Sequence, residues 1–128
     1  MKIILDTNFL IYCAREKLDY VEKISNLVLD NYELVVPIQV IHELEKLRAD
    51  KFKKVNGKDK TAIALALDLL EHYNVKQVNL PGKSVDEAII NLSREDNKNI
   101  VATLDREMRQ TLGRVILINK GKKLMLTK

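Results

Sequence analysis

Short apolar runs alternate with stretches of helical periodicity along the whole chain. Ile3-Ile4-Leu5, Leu34-Val35-Val36 and Ile100-Val101-Ala102 are near-continuous apolar segments rich in β-branched residues, the pattern of strands buried on both faces. The pattern predicts strands at 2–5, 33–36, 75–80, 99–104 and 115–118, and a last extended stretch at 123–126 after a tight turn at Gly121. Helical periodicity fills 7–15, 18–30, 37–48, 59–73, 84–96 and 106–112. Pro37 suits the first position of its helix, and Asn56-Gly57 marks a turn ending a polar, basic connection over 49–58. Ser84 and Glu87 fit a capping box, with Glu87 bonding back to the Ser84 N–H. Such β-α alternation implies right-handed crossovers and a mostly parallel sheet with helices on both faces. The last two segments suggest a hairpin with an antiparallel edge. No repeat, low-complexity tract or dividing linker interrupts the 128 residues, so one domain is expected.

Composition narrows the class without naming it. With 46% hydrophobic and 31% charged residues, no Trp, two Pro and four Gly, the chain matches an ordinary globular protein and not a disordered one. The sole cysteine, Cys13, has no internal partner and follows an apolar run, as a small buried hydrophobe would. No apolar run approaches ~18 residues and no basic leader precedes the first strand, so neither a membrane span nor a signal peptide is expected, and the expected location is the cytoplasm. The net charge of +4 is compatible with a polyanionic partner and does not identify one.

Two of the apolar runs stop at an aspartate, Asp6 and Asp105. In open α/β sheets ligands bind beyond the carboxyl ends of the strands. Taken singly, each aspartate is explained as a helix N-cap. Glu43 borders the apolar stripe Val40, Leu44 and Leu47 of its helix, where a lone glutamate is usually a solvated side chain. Asp86 has no task in the capping box, although a first-turn acid suits the helix dipole. As a group the acids mean more. Carboxylates crowded at one end of a sheet repel one another and need a cation, and hard divalent ions prefer oxygen ligands. His42 and His72 are placed as surface residues, so no zinc-type cluster exists. Four scattered glycines make neither a dinucleotide fingerprint nor a P-loop, and no nucleophile elbow is present. A phosphoacceptor receiver domain would carry paired acids after its first strand, where Asp6 stands alone.

Ile4-Leu5-Asp6-Thr7-Asn8, Ile41-His42-Glu43-Leu44-Glu45, Asp86-Glu87-Ala88-Ile89-Ile90 and Val101-Ala102-Thr103-Leu104-Asp105 together resemble the PIN domain, in the family's order and over essentially the whole chain. The resemblance implies a three-layer α/β/α sandwich on a mostly parallel five-stranded sheet with a C-terminal antiparallel hairpin. It implies a metal-dependent ribonuclease using Mg²⁺ or Mn²⁺, with Asp6, Glu43, Asp86 and Asp105 as catalytic metal ligands and Asn8 and Thr103 as supporting polar residues. Products would carry 5′-phosphate and 3′-hydroxyl ends. Many family members are VapC-type toxins paired with an antitoxin. The opening motif and the closing Asn119-Lys120-Gly121-Lys122-Lys123-Leu124 are also similar to rRNA-processing PIN nucleases, but Glu87 stands where that branch has a second aspartate.

An acidic pocket repels RNA, so basic surface must offset it. Lys46 and Arg48 end the Glu43 helix, Lys51, Lys53 and Lys54 lie in the connection after it, and Arg106 and Arg109 follow Asp105. They are candidate RNA-binding residues with salt-dependent affinity; further lysines crowd the tail. The competing reading is a non-catalytic RNA-binding or interaction module in a larger assembly. The apolar helix at 59–70 is explained equally by deep core burial and by a homodimer.

Overall fold

A computed structural model describes residues 1–50, 57–79, 81–119 and 122–127. The elements in chain order are β1 (Lys2–Leu5), α1 (Thr7–Arg15), α2 (Tyr20–Leu27), β2 (Glu33–Pro37), α3 (Ile38–Arg48), α4 (Gly57–His72), β3 (Lys76–Val78), α5 (Val85–Ser93), β4 (Ile100–Ala102), α6 (Arg106–Thr111), β5 (Arg114–Ile118) and β6 (Leu124–Leu126). The strands form one sheet in the order β3-β2-β1-β4-β5-β6. β1 pairs in parallel with both β2 and β4, β3 and β5 extend the parallel run, and β6 joins β5 antiparallel. The sheet therefore has six strands, with the expected hairpin supplying the sixth.

β1 is central because its residues bury on both faces: Ile3, Ile4 and Leu5 are fully buried, as are Val35, Val36, Ile100, Val101 and Ala102 on its neighbours. The chain builds outward from β1 to β2 and β3, then returns to place β4 on the other side. Right-handed crossovers put α1, α3 and α4 on one face, where α4 packs against α1 and α3, and put α5 on the other, against β1, β2 and β4. The α4 apolar surface is largely spent inside the chain: Ala62, Ile63, Ala66 and Leu70 are buried, and Leu65 is the one large apolar side chain of α4 left exposed among the described residues. Cys13 is buried and its thiol is pushed up to about 12 by desolvation, as suits an inert core residue. No helix among the described residues is long and apolar enough to cross a membrane.

Several boundaries differ from the sequence expectation for identifiable reasons. Pro37 ends β2 in extended geometry (φ −61°, ψ 142°), pairs with Val78 and caps α3 instead of starting it. The helix expected over 18–30 is Tyr20–Leu27, because Asp19 caps it by accepting the Glu22 N–H at 3.2 Å and Val28 turns extended. The strand expected over 75–80 shortens to a largely exposed edge, Lys76–Val78; Leu80 lies outside the described residues. The helix expected from 84 to 96 is Val85–Ser93, and α4 begins at Gly57. The capping box is half formed: Ser84 Oγ accepts the Glu87 N–H at 3.1 Å, but Glu87 Oε2 accepts from the Lys83 N–H at 3.2 Å, one residue upstream of Ser84. The turn expected at Gly121 and most of the 49–58 connection lie outside the described residues.

Candidate active site

β1 ends at Leu5 and β4 at Ala102, and the two strands are neighbours whose following connections leave in opposite directions across the sheet. This is the topological switch point, where an open α/β sheet forms a crevice. The ladder runs one residue past β1, with the Asp6 N–H donating to the Ala102 carbonyl at 3.0 Å. Asp6 is thereby fixed at the crevice floor, 4% exposed.

A single hydroxyl joins the two strand ends. Thr103 is fully buried, and its Oγ1 donates to Asp6 Oδ2 at 2.7 Å while accepting the Asp105 N–H at 3.0 Å. The other Asp6 oxygen accepts the Thr7 N–H at 2.7 Å, so Asp6 caps α1. Asp105 caps α6 with Oδ1, which accepts from the Glu107 and Met108 N–H groups at 2.9 and 3.1 Å, leaving Oδ2 outside the cap. Both strand-end aspartates are therefore real helix caps.

The electrostatics join the remaining acids to this pair. Burial raises the Asp6 carboxyl above its ordinary 3.8, the bonds from Thr103 and Thr7 oppose that, and Asp86 and Asp105 add repulsion. Burial also raises Glu43 above its ordinary 4.5; Asp6 and Asp86 push the same way and Lys46 pulls back. Asp86 stands exposed in the first turn of α5. Gly82 sets that helix start close against its loop, because a Cβ there would meet the Ala88 backbone nitrogen at 2.9 Å. Asn8 is exposed and its side chain makes no hydrogen bond to the acids among the described residues; it lines a cleft beside Asp105.

Among the described residues no three His, Cys, Asp or Glu side chains close into one ligating group. A hard cation that keeps waters needs only one or two carboxylates from a protein. The donor chemistry agrees. Asp6 retains a lone pair on each oxygen, and Thr7 Oγ1, next along the chain and buried, has no hydrogen-bond partner among the described residues. Thr7 did not stand out in the sequence; its signal is a hydroxyl directly after a strand-end aspartate.

Of the expected basic residues, Lys46 lies in the field of Glu43, and Arg109 is exposed on α6. Arg48 instead lines a groove with Glu45, Asp68 and Glu71, whose charges offset its own. Lys51, Lys53 and Lys54 lie outside the described residues, as does the side chain of Arg106. His42 and His72 are exposed.

A sequence model for the family described as "PIN like domain" matches residues 3–119. The chain belongs to the PIN-like domain family. Among curated proteins this PIN-like domain is similar to Ribonuclease VapC4 of Methanocaldococcus jannaschii, at 37% identity over 111 residues, 87% of this chain and 82% of the relative. It is also similar to Ribonuclease VapC9 of Archaeoglobus fulgidus, at 31% over 107 residues, 84% and 72% of the two chains. Among solved structures, the PIN domain endonuclease Utp24 matches with a TM-score of 0.74 at 20% identity, covering 96% of this chain and 90% of that one. VapBC2 from Rickettsia felis, bound to a DNA fragment from its promoter, matches with 0.57 at 15%, covering 88% and 96%. These structures share the PIN fold, with its helices on both faces of a mostly parallel sheet.

Proposed function

We propose that this PIN-like domain is an endoribonuclease that hydrolyses RNA phosphodiester bonds with Mg²⁺ or Mn²⁺ at Asp6, Glu43, Asp86 and Asp105. The observation that carries the reading is Asp6: a carboxylate 4% exposed, at the sheet's switch point and within the field of Asp86 and Asp105. Crowded, desolvated carboxylates are stable as anions only with a cation to compensate them. The names of the two curated relatives, both ribonucleases, agree with that reading.

The protein's own part is positioning. Thr103 and Thr7 hold the Asp6 carboxylate in one orientation, and Thr103 ties the Asp105 backbone to it. Glu43 and Asp86 close the site from α3 and α5. A divalent ion held by these carboxylates would make hydroxide available as the nucleophile near neutral pH and would offer positive charge to the leaving oxygen. Lys46 and Arg109 would contact flanking phosphates, and hydrolysis would leave 5′-phosphate and 3′-hydroxyl ends.

The test is cleavage of a generic RNA with Mg²⁺ or Mn²⁺, with chelator, and with Asp6→Asn. Cleavage should vanish with chelator and fall at least a hundredfold in the variant. Equal cleavage by both chains would end the nuclease reading, and RNA binding with no cleavage by the wild type would favour a non-catalytic module. Since both curated relatives are named VapC, we read the role as that of a toxin held by an antitoxin. A toxin predicts a small neighbouring gene whose product, on co-expression, binds this chain and suppresses cleavage.

A further inference from the structure

A cleft of about 320 Å³ opens beside Asp105, lined by Asn8, Ile11, Tyr12, Arg15, Leu104 and Asp105. It is built from one face of α1 and the β4–α6 connection, so it shares a wall with the acidic site. Its chemistry is unlike that site's. Ile11 and Leu104 are partly buried and apolar. Tyr12 is half-buried, and the Arg15 guanidinium lies 5.5 Å from the centroid of its ring. Arg15 is held there from two sides, 3.4 Å from Asp59 on α4 and 4.0 Å from Glu16. Asn8 is an exposed part of the cleft lining, its amide making no hydrogen bond among the described residues.

We propose that this cleft is the subsite for an unpaired RNA base next to the cleaved phosphate, with Tyr12 and Arg15 as the stacking surface and Asn8 facing the base edge. The proposal rests on the nuclease reading for its substrate. A half-buried aromatic ring layered with a guanidinium is the platform on which single-stranded nucleic acids stack, and it tolerates any base because every base has a π-face. Apolar walls with a few polar groups are the usual lining of a small-ligand site, and the volume falls within that range. A base in a duplex has both faces covered and cannot enter, so the cleft selects unpaired RNA at the position beside Asp105.

The test uses the full chain and a short single-stranded RNA carrying 2-aminopurine at successive positions, bound in an Asp6→Asn background so that the RNA stays intact. Adding the protein should quench emission at one position, and adding it to the same RNA as a duplex should cause no further quenching. Tyr12→Leu should abolish the quenching and weaken binding about 5- to 150-fold, the value of one base–aromatic stack, while Tyr12→Phe restores both. With Asp6 present, Tyr12→Leu should raise KM and leave kcat near that of the wild type. Quenching that survives Tyr12→Leu, or a Tyr12→Phe chain as impaired as Tyr12→Leu, overturns the subsite. Wild-type cleavage with an unchanged KM in Tyr12→Leu overturns the subsite and spares the nuclease. Tyr12-dependent quenching in a chain that never cleaves does the reverse.

Discussion

Asp6 carries a conflict: a carboxylate is buried at the crevice floor with acids around it. In the metal-free chain that conflict costs stability. An acid whose folded pKa is raised is penalised by folding when ionised; the penalty is full above the folded value, fades as pH falls toward the ordinary 3.8, and is absent below it. Asp6→Asn is therefore expected to melt above wild type at pH 7 in chelator, although inactive, and the gap should close on acidification through that window. A wild type that melts at or above the variant at pH 7 would show that the bonds from Thr7 and Thr103 outweigh burial. Tyr20 poses a related problem. It is 1% exposed, edge-on to both Phe9 and Tyr73, and its hydroxyl has no hydrogen-bond partner among the described residues. Tyr20→Phe removes that cost and should stabilise the fold by about 1 kcal/mol in denaturant unfolding; a loss of stability would mean the hydroxyl is bonded.

Capping and the proposed metal ligation fall on the same residues at the scale of the element. Asp105 Oδ1 holds the first turn of α6, and the α6 start sets where Arg109 stands. The two duties separate by substitution. Asp105→Ser keeps a cap of similar strength and should melt close to wild type with little cleavage, whereas Asp105→Ala should lose cleavage and about 1 kcal/mol of stability. If both variants melt alike, the cap contributes nothing. The elements themselves were largely legible, because apolar runs and cap residues are local signals: Asp6, Ser84 and Asp105 all cap where the sequence placed a helix start. The ends were less legible. Pro37 stays in β2 because it pairs with Val78, and Glu87 reaches Lys83 because the loop at Gly82 packs on Ala88. Those contacts are tertiary and leave no mark in the local pattern.

The whole molecule decides where the candidate RNA-binding charges stand. Lys46 lies in the field of Glu43 and Arg109 is exposed on the helix that follows Asp105, while Arg48 lines a separate groove with Glu45, Asp68 and Glu71. RNA affinity measured against salt should lose about 0.7 of its logarithmic slope for each phosphate contact removed. Lys46→Gln and Arg109→Gln are expected to show that loss and Arg48→Gln to leave the slope unchanged. A drop for Arg48→Gln equal to the others would place RNA across the α3–α4 groove as well. The same global view accounts for α4. Its nearly all-round apolar middle is covered by α1 and α3 in one chain, which leaves only Leu65 of its large apolar side chains on the surface among the described residues.

The order of strands and helices, the burial of β1, and the strand-end positions of Asp6 and Asp105 follow from the sequence by itself, because they depend on residue type and local periodicity. Only the tertiary structure decided that β1 and β4 are neighbours, that one Thr103 hydroxyl spans their ends, and that Glu43 and Asp86 arrive from α3 and α5 into the same field. It also decided that Asn8 faces a cleft with Tyr12 and Arg15 and makes no bond to the acids. The reason is physical: a carboxylate at a strand end looks the same in sequence whether it caps a helix or shares a site. What distinguishes the two is the set of groups that a crossover of dozens of residues brings within a few ångströms.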